Sequence, residues 1–87
     1  MNSANNKQKI ISVKAKPPYL LYAELQNHET IVLDLTSLIE KRSAFWRLKN
    51  FKYFQQVSID PLGGLYWQCE EDIAPCKIFD YVVEYNN

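Results

Sequence analysis

The chain has 87 residues, 47% of them hydrophobic and 14% aromatic, and its ten bases are matched by ten acids. A chain of this length buries roughly 60–65% of its unfolded surface, enough for one modest core, and the composition is too apolar for a disordered polymer. The zero formal charge argues against a dedicated duplex binder, and no apolar run approaches the ~20 residues needed to cross a bilayer.

Residues 1–8 read as a frayed polar tail and residues 9–87 as a single domain. The opening "MNSANNKQK" has no hydrophobic region behind its charges, so no signal peptide is expected. A cytoplasmic location follows, with Cys69 and Cys76 as free thiols. From Lys9 the pattern alternates. Ile11, Val13 and Ala15 share one face of a half-buried strand, which Pro17 and Pro18 end. Tyr19, Leu21, Ala23 and Leu25 form a second alternating face. After the polar turn "NHE", Ile31, Leu33 and Leu35 form a third. Together they predict a three-stranded antiparallel meander.

"DLTSLIEKR" changes period to a short helix, with Ser37 or Thr36 as its cap and Leu35, Leu38 and Ile39 facing the sheet. Asn50 caps a second short helix running to about Gln55. "VSIDPLGGLYWQ" predicts a hairpin that pairs Val57 and Ile59 with Leu65 and Trp67 across a Pro-Gly turn. In "DIAPCKIFDYVVEY", Pro75 fits a first helical position, and Ile78, Phe79 and Val82 lie at helical spacing. The predicted architecture is α+β: an antiparallel sheet of about five strands, two short helices midway and a helix at the C-terminus.

The order of these segments resembles the small domain-of-unknown-function 2442 family of bacteria, from about Ile10 to Val82. The residues that carry the resemblance are the Tyr19-to-Leu25 strand, "VLDLTSLIE", "FWRLKNFKYFQQVSID" and "GGLYWQCEEDIAP". The family commonly has Gly before its Asp-Leu pair, where this chain has Glu71 before Asp72 and Ile73. The resemblance implies a small α+β module with no established enzymatic activity. Some members stand beside another small protein, in an arrangement like that of toxin–antitoxin pairs. Others are fused to a helix-turn-helix domain, for which these 87 residues leave no room.

Candidate chemistry is sparse. His28 sits in the predicted turn between Asn27 and Glu29, a solvated position with no orienting partner expected. Cys69 and Cys76 are seven residues apart, which is not a zinc spacing, so no metal is expected. Glu70, Glu71 and Asp72 read as solvated loop carboxylates, and Gly63-Gly64 as a turn. No constellation meets the geometric needs of catalysis, so the chain is expected not to be an enzyme and to need no cofactor. Charge is segregated: five bases and no acid from Lys41 to Lys52, five acids and one base from Glu70 to Glu84. These blocks are expected to be solvated faces, with mutual contact within one chain or between copies as the alternative.

The stretch "FWRLKNFKYF" (residues 45–54) combines five aromatic rings with three bases. Burying one Phe stabilises by roughly 2–3 kcal/mol, so a small core is expected to take Phe45, Leu48, Phe51 and Phe54. Trp46, Arg47, Lys49, Lys52 and Tyr53 remain as the candidate contact residues. Trp, Tyr and Arg are the types enriched at protein–protein hot spots. Tyr22 and Tyr66 also face outward; on a shared sheet face they would need cover from a second chain or the terminal helix. The expected role is a non-catalytic protein-interaction module, antitoxin-like within a two-gene pair. Its partner is a small protein, and a homo-oligomer is also compatible. The alternative is single-stranded nucleic-acid binding through residues 45–54, the less favoured partner class. No membrane partner is expected.

Overall fold

Alternation of apolar and polar residues builds the larger of two sheets. The computed structural model describes residues 8–86. In it β1 (Ile10–Lys16), β2 (Leu20–Leu25) and β3 (Thr30–Asp34) form an antiparallel meander, and β7 (Val82–Asn86) adds to the far edge of β3. The register aligns Ala15, Leu21, Leu33 and Val82 in one row, and Val13, Ala23, Ile31 and Tyr85 in the next. These rows face the core, with Leu21, Ala23, Ile31 and Leu33 buried. Lys14, Tyr22, Val32 and Glu84 form the outward row between them. Apart from Gln8, the tail expected over residues 1–8 lies outside the described residues.

The first strand departs from its simple alternation. A register shift between Ile10 and Ser12 buries Ile10 and turns Ile11 outward, so Ile11 is not the core residue its spacing suggests. The β2–β3 turn contains no glycine, yet His28 adopts φ 70°. The Asn27 side chain steadies this left-handed turn by accepting the Glu29 N–H at 3.1 Å. Tyr85 donates its hydroxyl proton to Glu29 and ties β7 to the turn.

Between β3 and the second sheet the chain runs through helices. The first, α1 (Thr36–Lys41), has Leu35 at its N-cap position, and the Asp34 carboxylate, rather than Ser37 or Thr36, accepts the Thr36 N–H at 2.9 Å. Two 3-10 turns, kinked at Phe45, span Ser43–Lys49, and α2 (Phe51–Phe54) follows, with Asn50 accepting the Lys52 N–H as its cap. Phe45, Leu48 and Phe54 are buried and Phe51 is half-buried, so the aromatic run is spent mainly on the core.

The second sheet has three short strands, β4 (Ser58–Ile59), β5 (Leu65–Tyr66) and β6 (Asp72–Ile73), in that order. Ile59 pairs with Leu65 as the hairpin spacing predicts. Asp60 organises the turn: its carboxylate accepts N–H donors from Leu62 and Gly64, and Gly63 takes φ +94°. Phe54 joins the two sheets. Its ring meets Tyr19 edge-on, stacks on Trp67 at 6.0 Å, and its carbonyl accepts the Trp67 indole N–H at 2.8 Å.

The α+β class stands, with its strands divided between a four-stranded and a three-stranded sheet. The C-terminal segment is only briefly helical. After α3 (Pro75–Ile78) and a 3-10 turn over Phe79–Tyr81 it becomes β7, because β3 offers an unpaired edge that a β-branched segment can fill. Tyr22 and Tyr66 lie in different sheets, and Lys16 Nζ sits 5.2 Å from the Tyr22 ring centroid. The two tyrosines therefore form no common apolar face that needs cover. No helix among the described residues is long and apolar enough to cross a membrane.

Candidate interaction site

Phe45, at the kink of the 3-10 segment, and Leu48, three residues on, both face the core. The same geometry throws Trp46 outward, where it is 59% exposed. Asn50 ends this segment and caps α2, which turns Lys52 to solvent and leaves Tyr53 half-buried. Trp46, Arg47, Asn50 and Tyr53 then line a shallow notch of about 220 Å³. Lys49 and Lys52 lie on the exposed surface beside it in sequence but do not line it.

Glu71 holds the notch from behind. Its side chain is fully buried, whereas the sequence reading placed it with the solvated loop acids. Arg47 Nη1 donates to Glu71 Oε2 at 2.9 Å, and the Tyr53 hydroxyl donates to Oε1 at 2.6 Å. The Glu70 N–H reaches Oε1 at 3.3 Å, while Tyr53 accepts the Cys69 N–H at 3.0 Å. A buried carboxylate is tolerated only when paired and hydrogen-bonded, and these three donors meet that need. The basic and acidic blocks thus do meet, at one point and within one chain.

Titration follows from this geometry. Burial pushes the Glu71 carboxyl up, but the hydrogen bonds from Tyr53 and Arg47 outweigh it and hold the group below its ordinary range. Burial, and then the bond to the ionised Glu71, push the Tyr53 hydroxyl up to about 12. Arg47 gains basicity chiefly from the same carboxylate. Its guanidinium carbon lies 5.0 Å from the Trp46 ring centroid, a cation–π arrangement.

The structure therefore gathers Trp46, Arg47 and Tyr53 of the five candidate residues and leaves Lys49 and Lys52 flanking, neither of them in an ion pair among the described residues. Sequence reasoning missed Asn50, read only as a cap, and Glu71. The one available sign for Glu71 was the acid standing where the related family commonly has glycine. His28 does have a partner, Glu24 Oε2 at 3.0 Å from Nδ1, but its side chain is 82% exposed and enclosed by nothing. Cys69 and Cys76 are free and exposed. A concavity of about 440 Å³ lies elsewhere, between α1 and the start of β7, and includes Asp34, Glu40 and Asp80. Among the described residues no group of three or more His, Cys, Asp or Glu is placed to hold a metal.

The family model described as "Protein of unknown function (DUF2442)" matches residues 10–84. The chain belongs to this family. The domain-of-unknown-function 2442 match covers both sheets except the last two residues of β7, the helical segments between them, and every residue of the notch with its buried carboxylate. Comparison with curated proteins and with solved structures finds no match.

Proposed function

We propose that the chain is a non-catalytic module that binds a partner protein through the Trp46 surface. The observation that carries this reading is a tryptophan 59% exposed on a 3-10 segment whose other large apolar residues, Phe45 and Leu48, are buried, with Arg47 over its ring and clamped to Glu71. A large ring already fixed in place loses little side-chain entropy on binding, and Trp, Tyr and Arg are the residue types that dominate interface energetics. The partner is a small protein, and the arrangement of related family members supports an antitoxin-like role within a two-gene pair.

Single-strand nucleic-acid binding has less support, since it needs several open rings. Here Phe45 and Phe54 are buried, Phe51 and Tyr53 half-buried, and the Arg47 charge is matched by Glu71.

A photocrosslinking side chain at position 46, compared with one at the still more open Leu62, tests the proposal in cells. The expected result is one protein adduct at position 46 and none at Leu62. Equal labelling at both positions, or none at either, refutes it. Retention of oligothymidylate that falls steeply with salt would replace it with the nucleic-acid reading.

A further inference from the structure

The hydrogen-bonding character of the notch points to the chemistry of what fills it. Its donors are unspent. Among the described residues the Trp46 indole N–H, the Asn50 amide N–H groups and all of the Arg47 guanidinium except Nη1 have no partner. Its acceptors are already engaged. Asn50 Oδ1 takes the Lys52 N–H, and the Tyr53 oxygen takes the Cys69 N–H while donating its own proton to Glu71. The Arg47 carbonyl takes the Asn50 N–H, and the Asn50 carbonyl takes those of Tyr53 and Phe54. A ligand here meets aromatic rings and many spare N–H groups, against a single remaining lone pair on each of Asn50 Oδ1 and the Tyr53 oxygen.

An ordinary extended peptide brings one N–H for every carbonyl, a poorer match to a notch with more spare donors than spare lone pairs. Proline brings a carbonyl without an N–H, a flat apolar ring suited to aromatic walls, and a backbone already extended. Aromatic-lined grooves take proline segments for these reasons. The flanking Lys49 and Lys52, both exposed and in no ion pair among the described residues, favour acids beside the proline. We infer that the Trp46–Tyr53 notch receives an extended, proline-containing segment with acidic flanks from the partner protein. This inference rests on the reading of the Trp46 surface as a protein-binding one.

The test uses the full chain labelled with nitrogen-15 and a synthetic peptide alternating Pro-Pro with Glu. The two indole N–H signals of Trp46 and Trp67 serve as open and buried reporters, since Trp67 is 2% exposed and bonded to Phe54. At about 1 mM peptide, enough to half-fill a site of millimolar Kd, the Trp46 indole should move and the Trp67 indole should not. Replacing the prolines by alanine, or the acids by lysine, should weaken binding about tenfold each, read by anisotropy of a labelled peptide. Trp46→Ala should weaken it about 30-fold. Asn50→Asp keeps a capping oxygen but exchanges the donor amide for a negative charge; it should cost about tenfold with the fold intact. A motionless Trp46 indole, equal binding of the alanine peptide, or movement with oligothymidylate but not with the peptide would overturn the inference. A position-46 protein adduct alongside a motionless indole would overturn the ligand chemistry alone and leave the surface assignment standing.

Discussion

Replacing Tyr53 by Phe keeps the ring and removes one oxygen, and two hydrogen bonds go with it. The Cys69 N–H at 3.0 Å is exposed, so water takes over and the net cost is near zero. The bond to Glu71 Oε1 at 2.6 Å links a phenol to a buried carboxylate and is charge-assisted, a class that contributes about 1.5–3 kcal/mol. Tyr53→Phe should therefore cost about 2 kcal/mol. For a domain this size that lowers Tm by about 10 °C. Glu71→Gln, which keeps the shape and removes the charge, should cost a similar amount. Because each variant removes the charge-assisted form of the same bond, the double variant should cost about 1.5 kcal/mol less than the sum. Urea unfolding followed by tryptophan fluorescence measures all four corners of the cycle, with unchanged slopes confirming that the midpoints report stability. Additivity to within about 0.5 kcal/mol would refute the claim that Tyr53 and Glu71 act as one unit.

Acid should unfold the protein partly through the same group. The folded chain holds the Glu71 pKa below its ordinary 4.5, so the unfolded chain takes up that proton first. The stability Glu71 contributes is complete above pH 4.5 and is lost as pH falls through the lower folded value; Glu71→Gln should flatten that acid limb of the urea midpoint. At the other extreme, Tyr53 and Tyr85 should ionise near pH 12, as followed by phenolate absorbance, and Tyr53→Phe should remove one such step. Stability linked to these two hydroxyls is complete below pH 10 and lost as pH rises toward 12. Gly64→Ala would place a methyl 2.7 Å from Asp60 Oδ2 and from the Ile73 carbonyl; it should cost about 2 kcal/mol in the same unfolding assay. Trp46→Ala should change stability by less than about 0.5 kcal/mol, whereas Leu48→Ala, at a fully buried position, should cost about 3 kcal/mol.

Much of this architecture is written in local patterns. The period-two alternation of Leu21, Ala23 and Leu25 and the cap at Asn50 are fixed by near neighbours, and both are present as read. The core's claim on Phe45, Leu48 and Phe54 followed from size alone. What escaped the sequence depends on distant partners. Ile11 faces out because a register shift against β2 displaces the alternation. Val82 sits at helical spacing from Ile78 and Phe79, yet pairing with Leu33 converts it to strand. Glu71 looks like its neighbours Glu70 and Asp72, and only the folded chain brings Arg47, 24 residues away, and Tyr53, 18 residues away, to its two oxygens. The candidate site was legible as a surface, through Trp46, and illegible as a built device, through Glu71.

The pairing of Leu33 with Val82 also bears on synthesis. As the protein leaves the ribosome, the meander can zip up early from adjacent segments, but the outer seam of β3 stays open until roughly half the chain has followed. Closing so long a loop is slow, and an unsealed row of amides and carbonyls is the feature through which nascent polypeptides stick to one another. Shortened translation products that lack Val82–Asn86 would keep that seam permanently bare.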